Sequence, residues 1–358
     1  MDPNDTLSSI FDKVNISDDI DTISNIILFT SLIHLIFEYI HKDFKLLIHR
    51  EGSTDKERAK KLSIEVIMRS GMEDYFPHIL LRESLSHFPR RIILCNTAAR
   101  KGYVNTLKWA REKGCPWDLM TCQYAALEGH LDCLIWAREN GCDWDSSIIT
   151  AAAEGGHLDC LIWAKEHGCD WDSNACEVAA RYGHLDCMIW AKEHGSNWNS
   201  SVCQAAAIGG HLNCLMWARE NGCDWTRDTC NMAAREGHLD CLIWARKNGC
   251  PWTADVCFNA AGFGRLNCLI WARENGCDWN PAVCYFAACK GHLDCLIWAR
   301  EHGCDWDSDV CLGAVRFGHL DCLIWAREHG CDWNIDACRE IATFDRRKNI
   351  LEWINSNA

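Results

Sequence analysis

Residues 291–306 and 318–333 of this chain are the same sixteen letters, GHLDCLIWAREHGCDW, set 27 residues apart. That interval governs most of the sequence. The residue following a glycine is Tyr103, His130, His157, His184, His211, His238, Arg265, His292 and His319, always at the same spacing. With that residue as position 0, one Trp falls at +6 (Trp109 to Trp325) and another at +14 (Trp117 to Trp333), two ladders that leave only Trp353 outside. Cysteines stand at −8 (Cys95 to Cys338, Ile149 in one unit), at +3 (Cys133 to Cys322) and at +12 (Cys115 to Cys331, Ser196 in one unit). Of the 26 Cys, only Cys289 lies off these ladders. A fixed period of roughly 20–50 residues marks a solenoid or a propeller.

The unit Asp307–Trp333 says which. Asp, Asn or Thr opens each full unit from Asp118 to Asn334, the preference of a helix N-cap. Asn280 is followed by Pro281, and Pro is favoured at the first helical position. Trp306 and Cys311 occupy the two positions of a hydrophobic staple around the cap. The pattern predicts a first helix over Ser308–Phe317, stopped by Gly318 in a left-handed cap. A second helix is expected over Leu320–His329, with Asp321 near its positive start and Gly330 closing it. Helices this short do not stand alone in water. They must stack on their neighbours as a helical solenoid.

Ala233–Trp252, AAREGHLDCLIWARKNGCPW, resembles the ankyrin repeat: a small pair, then x-x-Gly-His-Leu, a helix and a glycine turn. The resemblance holds over nine units and implies an all-α, ankyrin-like helix-turn-helix solenoid. The unit here is shorter than the family's, and its Asp-Trp-Asp-Ser link leaves no room for the β-hairpin finger, so fingers are expected to be shortened or absent. Short Trp- and Cys-rich units of this kind resemble those encoded by giant DNA viruses and some unicellular eukaryotes. The division expected is a helical N-terminal region at 1–91, nine repeats over 92–345, and a C-terminal cap at 346–358. In that last stretch Trp353 falls one residue out of register.

Helices are read near 22–50, 56–70 and 72–87, the second opened by a Thr54–Glu57 capping box. The start of the chain is acidic where a signal peptide is basic, so a cytoplasmic location is expected, host cytoplasm if the source is viral. Ile26–Ile40 is the one apolar run, but it is fifteen residues long and holds His34 and Glu38. A spanning helix wants about 20 apolar residues, so no membrane role is assigned. The alternative for this helix is an F-box-like docking segment of a ubiquitin-ligase substrate adaptor. With 36 Lys plus Arg against 50 Asp plus Glu, a formal charge of −14, nucleic acid is not the expected partner.

His at 0 and Cys at +3 lie one helical turn apart, which raises a Cys/His metal site. The pattern of loss argues against it. Arg265 replaces the histidine while Cys257, Cys268 and Cys277 remain, and Ile149 and Ser196 each replace one cysteine alone. No metal or other cofactor is therefore expected, and the cysteines are read as small buried apolar residues. Equivalent positions in adjacent units lie about 10 Å apart, beyond the roughly 7 Å that a disulfide tolerates between Cα atoms. A bridge between two ladders within one unit stays open. The histidines are read as ties from the interhelical turn to backbone. No catalytic constellation stands outside the repeat, so the chain is not read as an enzyme.

Variation remains. Helix two barely changes, whereas positions −7, −3 and −2 of helix one change freely and share one face. In the resemblance that face is the concave one that meets partners. In the last three units it carries Phe258, Phe263, Tyr285, Leu312 and Phe317, flanked by Lys290 and Arg316. Large apolar side chains on a face expected to be solvated mark a protein-binding surface. The expectation is a monomeric, non-catalytic scaffold that binds an unidentified protein partner through these seven residues.

Overall fold

In the computed structural model the described residues are 91–357, Lys113 and Asn280 excepted. The expectations for the N-terminal helices, the Ile26–Ile40 run and the docking helix lie outside them. The described residues form twenty α-helices, arranged as ten pairs from Arg91–Lys101 with Val104–Glu112 to Ile335–Phe344 with Lys348–Ser356. No strand occurs among them, so the links between pairs carry no β-hairpin. The first helix of the reference unit is Ser308–Phe317 and the second Leu320–Glu328, one residue shorter than expected. No helix among the described residues is long and apolar enough to cross a membrane.

The ends of the helices follow from local chemistry. Asp307 accepts a hydrogen bond from Asp309 N, and Asp118, Asn199, Thr226 and Asn334 cap their helices in the same way. Asp172 departs from the pattern: its helix begins only at Ala175, and its carboxylate accepts instead from Thr150 Oγ1 at 2.7 Å. Pro281 stands one position before the first helical residue, Ala282.

Successive first helices pack closely along their length, while second helices meet over a shorter stretch. Alanine pairs such as Ala179–Ala180 and Ala233–Ala234, fully buried, permit that close approach. The array therefore draws together on the first-helix side, which becomes its inner face. Between the two layers the +4 residue of each second helix, from Leu107 through Leu215 to Leu323, is completely buried.

The Trp ladders bind one unit to the next on the other side. Trp117 meets Trp136 edge-on at 5.6 Å, and the contact recurs along the array to Trp306–Trp325, also at 5.6 Å. Over the +14 ring stands the +8 cation of the same unit, as with Arg111 at 4.0 Å from Trp117. Trp306 thus packs against a tryptophan of the following unit, a contact that a staple to Cys311 did not anticipate. Both Trp ladders are half-buried.

The marker histidines also act between units. The His184 ring bonds the Glu154 carbonyl through Nε2 at 2.9 Å, and His238 bonds that of Ile208 at 3.0 Å. The tie reaches back into the preceding unit, and glycine makes it possible. Gly210 has φ +75°, and a Cβ there would lie 2.3 Å from Nδ1 of His238. Arg265 does the same work, donating from Nε to the Arg235 carbonyl at 3.1 Å. Donation to that carbonyl is the demand at this position, and either side chain meets it.

The last pair explains the displaced Trp353. The stretch from its cap, Asn334, to the turn holds one residue more than in the other units, so Arg346 occupies the left-handed position (φ 55°) that glycine fills elsewhere. Arg347 then takes the histidine's place and donates to the Arg316 carbonyl at 3.3 Å. Trp353 comes back into line, 6.0 Å from Trp333.

Candidate interaction surface

The variable positions of the first helices fall into two registers with different surroundings. Position −7 is a clasp between units. Asn96 Nδ2 donates to Asp118 Oδ1 at 3.3 Å and Asn96 Oδ1 accepts from Thr121 Oγ1 at 2.6 Å. Thr150 donates to Asp172, and Glu177 accepts from Ser201 Oγ at 2.8 Å. In the later units Phe258, Tyr285 and Leu312 take this position, half-buried and packed against the core. These three are only part-exposed: the Phe258 ring reaches Phe286 of the next unit, Tyr285 lies against Gly313 of the next, and Leu312 packs on the core.

Phe286, which the sequence pattern did not single out, joins this step. Its ring meets Phe258 at 4.3 Å and Tyr285 at 5.2 Å, both edge-on. The available signal was small residues around it. Gly262 opposes Phe286, with 3.5 Å between a hypothetical Cβ and the Phe286 Cβ. Gly313 clears room for Tyr285 and Cys289, because a Cβ there would lie 3.0 Å from Tyr285 Cε2 and 2.6 Å from Cys289 Sγ. The Tyr285 hydroxyl is pushed above its ordinary pKa, chiefly by its hydrogen bond with Cys289.

Positions −3 and −2 form the exposed register. Residue −3 of one unit meets residue −2 of the next. Arg100 Nε pairs with Glu128 Oε1 at 3.0 Å, and Glu154 accepts a hydrogen bond from the Tyr182 hydroxyl, raising its pKa. Arg235 stands 4.5 Å from the Phe263 ring centroid. Lys290 stands 5.9 Å from that of Phe317. Phe263 and Phe317 are 40% and 47% exposed, and Lys290 and Arg316 are exposed beside them. Four of the seven expected residues therefore share an open face.

That face continues further than expected. Phe344 is 86% exposed and lines a shallow groove with Arg316, Glu340, Ile341 and Asp345. Its −3 position was hidden by the extra residue before Arg347. Among the described residues, no group of three or more His, Cys, Asp or Glu gathers in metal-binding geometry.

A crystal structure of the human ASB11 ankyrin repeat domain is similar to this chain at 17% identity, over 44% of this chain and 84% of that one, with a TM-score of 0.38. No family model and no curated protein matches the sequence. Paired helices, glycine-stopped ends and stacking along both layers make the described chain an ankyrin-like helical solenoid, built from a 27-residue unit.

Proposed function

We propose that the chain is a protein-recognition scaffold that captures its partner on the first-helix face of its last units, without catalysis or cofactor. The observation that carries this reading is the run of Phe263, Phe317 and Phe344, large rings left in water at one register. Exposed aromatics beside cations are the usual anchors of a protein interface, costing commonly about 2 kcal/mol or more each when truncated. Phe258, Tyr285 and Leu312 serve as the floor that holds these anchors.

The cations name the partner's chemistry. Arg235 and Lys290 stand beside Phe263 and Phe317, and Arg316 lines the groove with Phe344, in a chain whose formal charge is −14. An acidic segment with apolar anchors fits them, and its capture should weaken as salt rises. Changing Phe263 and Phe317 together to Ser should abolish partner capture from cell extract, while circular dichroism and melting stay near those of the unaltered protein. Lys101→Ser with Glu128→Ser, in the same register of early units, should leave capture unchanged. If the double Phe change unfolds the protein, or leaves capture intact, this face is not the binding site.

A further inference from the structure

The cysteines hold a second arrangement. Position −8 lies in the first helix of each unit, and position +12 lies beyond the second helix, twenty residues later. Cys142, Cys223 and Cys331 at +12 donate to the carbonyls of Asp118, Asn199 and Asp307, the caps of their own first helices, at 3.2, 3.0 and 3.2 Å. This brings the thiol back over −8 of the same unit, and Cys203 Sγ approaches the Cys223 carbonyl at 3.9 Å. Seven units hold a cysteine at both positions, from Cys95 with Cys115 to Cys311 with Cys331, and in each the +12 thiol raises the pKa of its −8 partner. Two units break the pair: Ile149 stands where Cys169 would find a partner, and Ser196 stands where Cys176 would. All these sulfurs are buried.

We infer that each complete unit is an oxidisable dithiol, a site that hydrogen peroxide closes into a disulfide within the unit. Two thiols folded over one another in this way need only close to the roughly 2.05 Å of an S–S bond. The partners divide the work. In six of these units the interaction between the two thiols holds the +12 thiol below its ordinary pKa and the −8 thiol above it. Cys169, lacking a partner, is instead pushed up to about 11 by burial. The +3 thiols are also held protonated by burial, Cys133 and Cys187 up to about 12. Since the thiolate is the nucleophile, the +12 sulfur attacks first.

An S–O bond forms as the O–O bond breaks, and the departing hydroxide takes a proton to become water. The −8 sulfur then attacks the resulting sulfenic sulfur. The S–S bond forms, the S–O bond breaks, and the second hydroxide takes the −8 proton. Two thiols and one peroxide give one disulfide and two waters, with two electrons passing from sulfur to oxygen. Peroxide is close to water in size and reaches these sites through local opening of the array.

The test treats the full chain with hydrogen peroxide at neutral pH, follows circular dichroism, alkylates the remaining thiols and maps peptides by mass spectrometry. Seven linked pairs are expected, each lighter by two hydrogens, from Cys95–Cys115 to Cys311–Cys331, while Cys169, Cys176 and the +3 cysteines stay open to alkylation. Ile149→Cys should add an eighth link, from position 149 to Cys169, with the fold retained. The inference is overturned if the pairs stay reduced while Cys169 or the +3 cysteines oxidise. It is equally overturned if links join ladders indiscriminately, or form only after the helical signal is lost.

Discussion

Early and late units solve the same stacking problem at position −7 in different ways. Asn96, Thr150 and Glu177 reach forward to hydrogen-bond the start of the next first helix. Phe258, Tyr285 and Leu312 bury apolar surface at the equivalent place. A hydrogen bond contributes about 0.5–1.5 kcal/mol net, whereas a half-buried aromatic gives about 1–2 kcal/mol by area. The late units therefore have both a firmer step between units and, at −2, rings left in water. Variability along a helix face conceals two surroundings, one packed between units and one open to water.

The comparison breaks most visibly if the shared core is not shared. Leu161 and Leu296 are both completely buried at +4, one in each region. Leu161→Ala and Leu296→Ala should each cost about 2–5 kcal/mol, and by similar amounts in urea denaturation. A large gap between them would move the regional difference into the core and away from position −7.

The clasp itself gives a smaller effect. Phe258→Ala should cost about 1–2 kcal/mol, and Thr150→Val about 0.5–1.5 kcal/mol through its lost bond to Asp172. Equal denaturation midpoints for the two variants would remove the distinction between an apolar and a polar step.

The smallest effect is acid sensitivity, which should be common to both regions. His211 and His292 are held below the usual 6.5, chiefly by burial, with His184 and His238 adding to the effect at His211. A lowered folded-state pKa means the neutral ring is favoured in the fold. The stability from this source is full above the unfolded-state value and is lost as pH falls through it toward the folded value. Melting temperature should decline as pH drops below about 6.5, and His211→Gln should flatten that decline. An unchanged slope would show that the ladder does not titrate with folding.

Much of the fold was legible because its determinants are local. The cap at Asp307, the glycine at 318 and the apolar rhythm between them lie within a dozen residues, and the helix Ser308–Phe317 follows from them. The exposed pair Phe263 and Phe317 was legible for the same reason, as a break in a repeat. Phe286 and Phe344 were not. The first depends on the space left by Gly262 in the preceding unit, the second on a one-residue insertion absorbed at Arg346.

By itself, then, the sequence determined the period, the two helices of each unit and the necessity of stacking, since short helices with one buried face have no other stable arrangement. The tertiary structure alone decided what meets what across units. It placed His238 on the carbonyl of Ile208, thirty residues earlier, the Cys203 thiol against Cys223, and Phe258 in the stack where Phe263 stays in water. These contacts join groups remote in the chain, and they exist only once neighbouring units have settled at a particular spacing and rotation, which a repeat of letters does not specify.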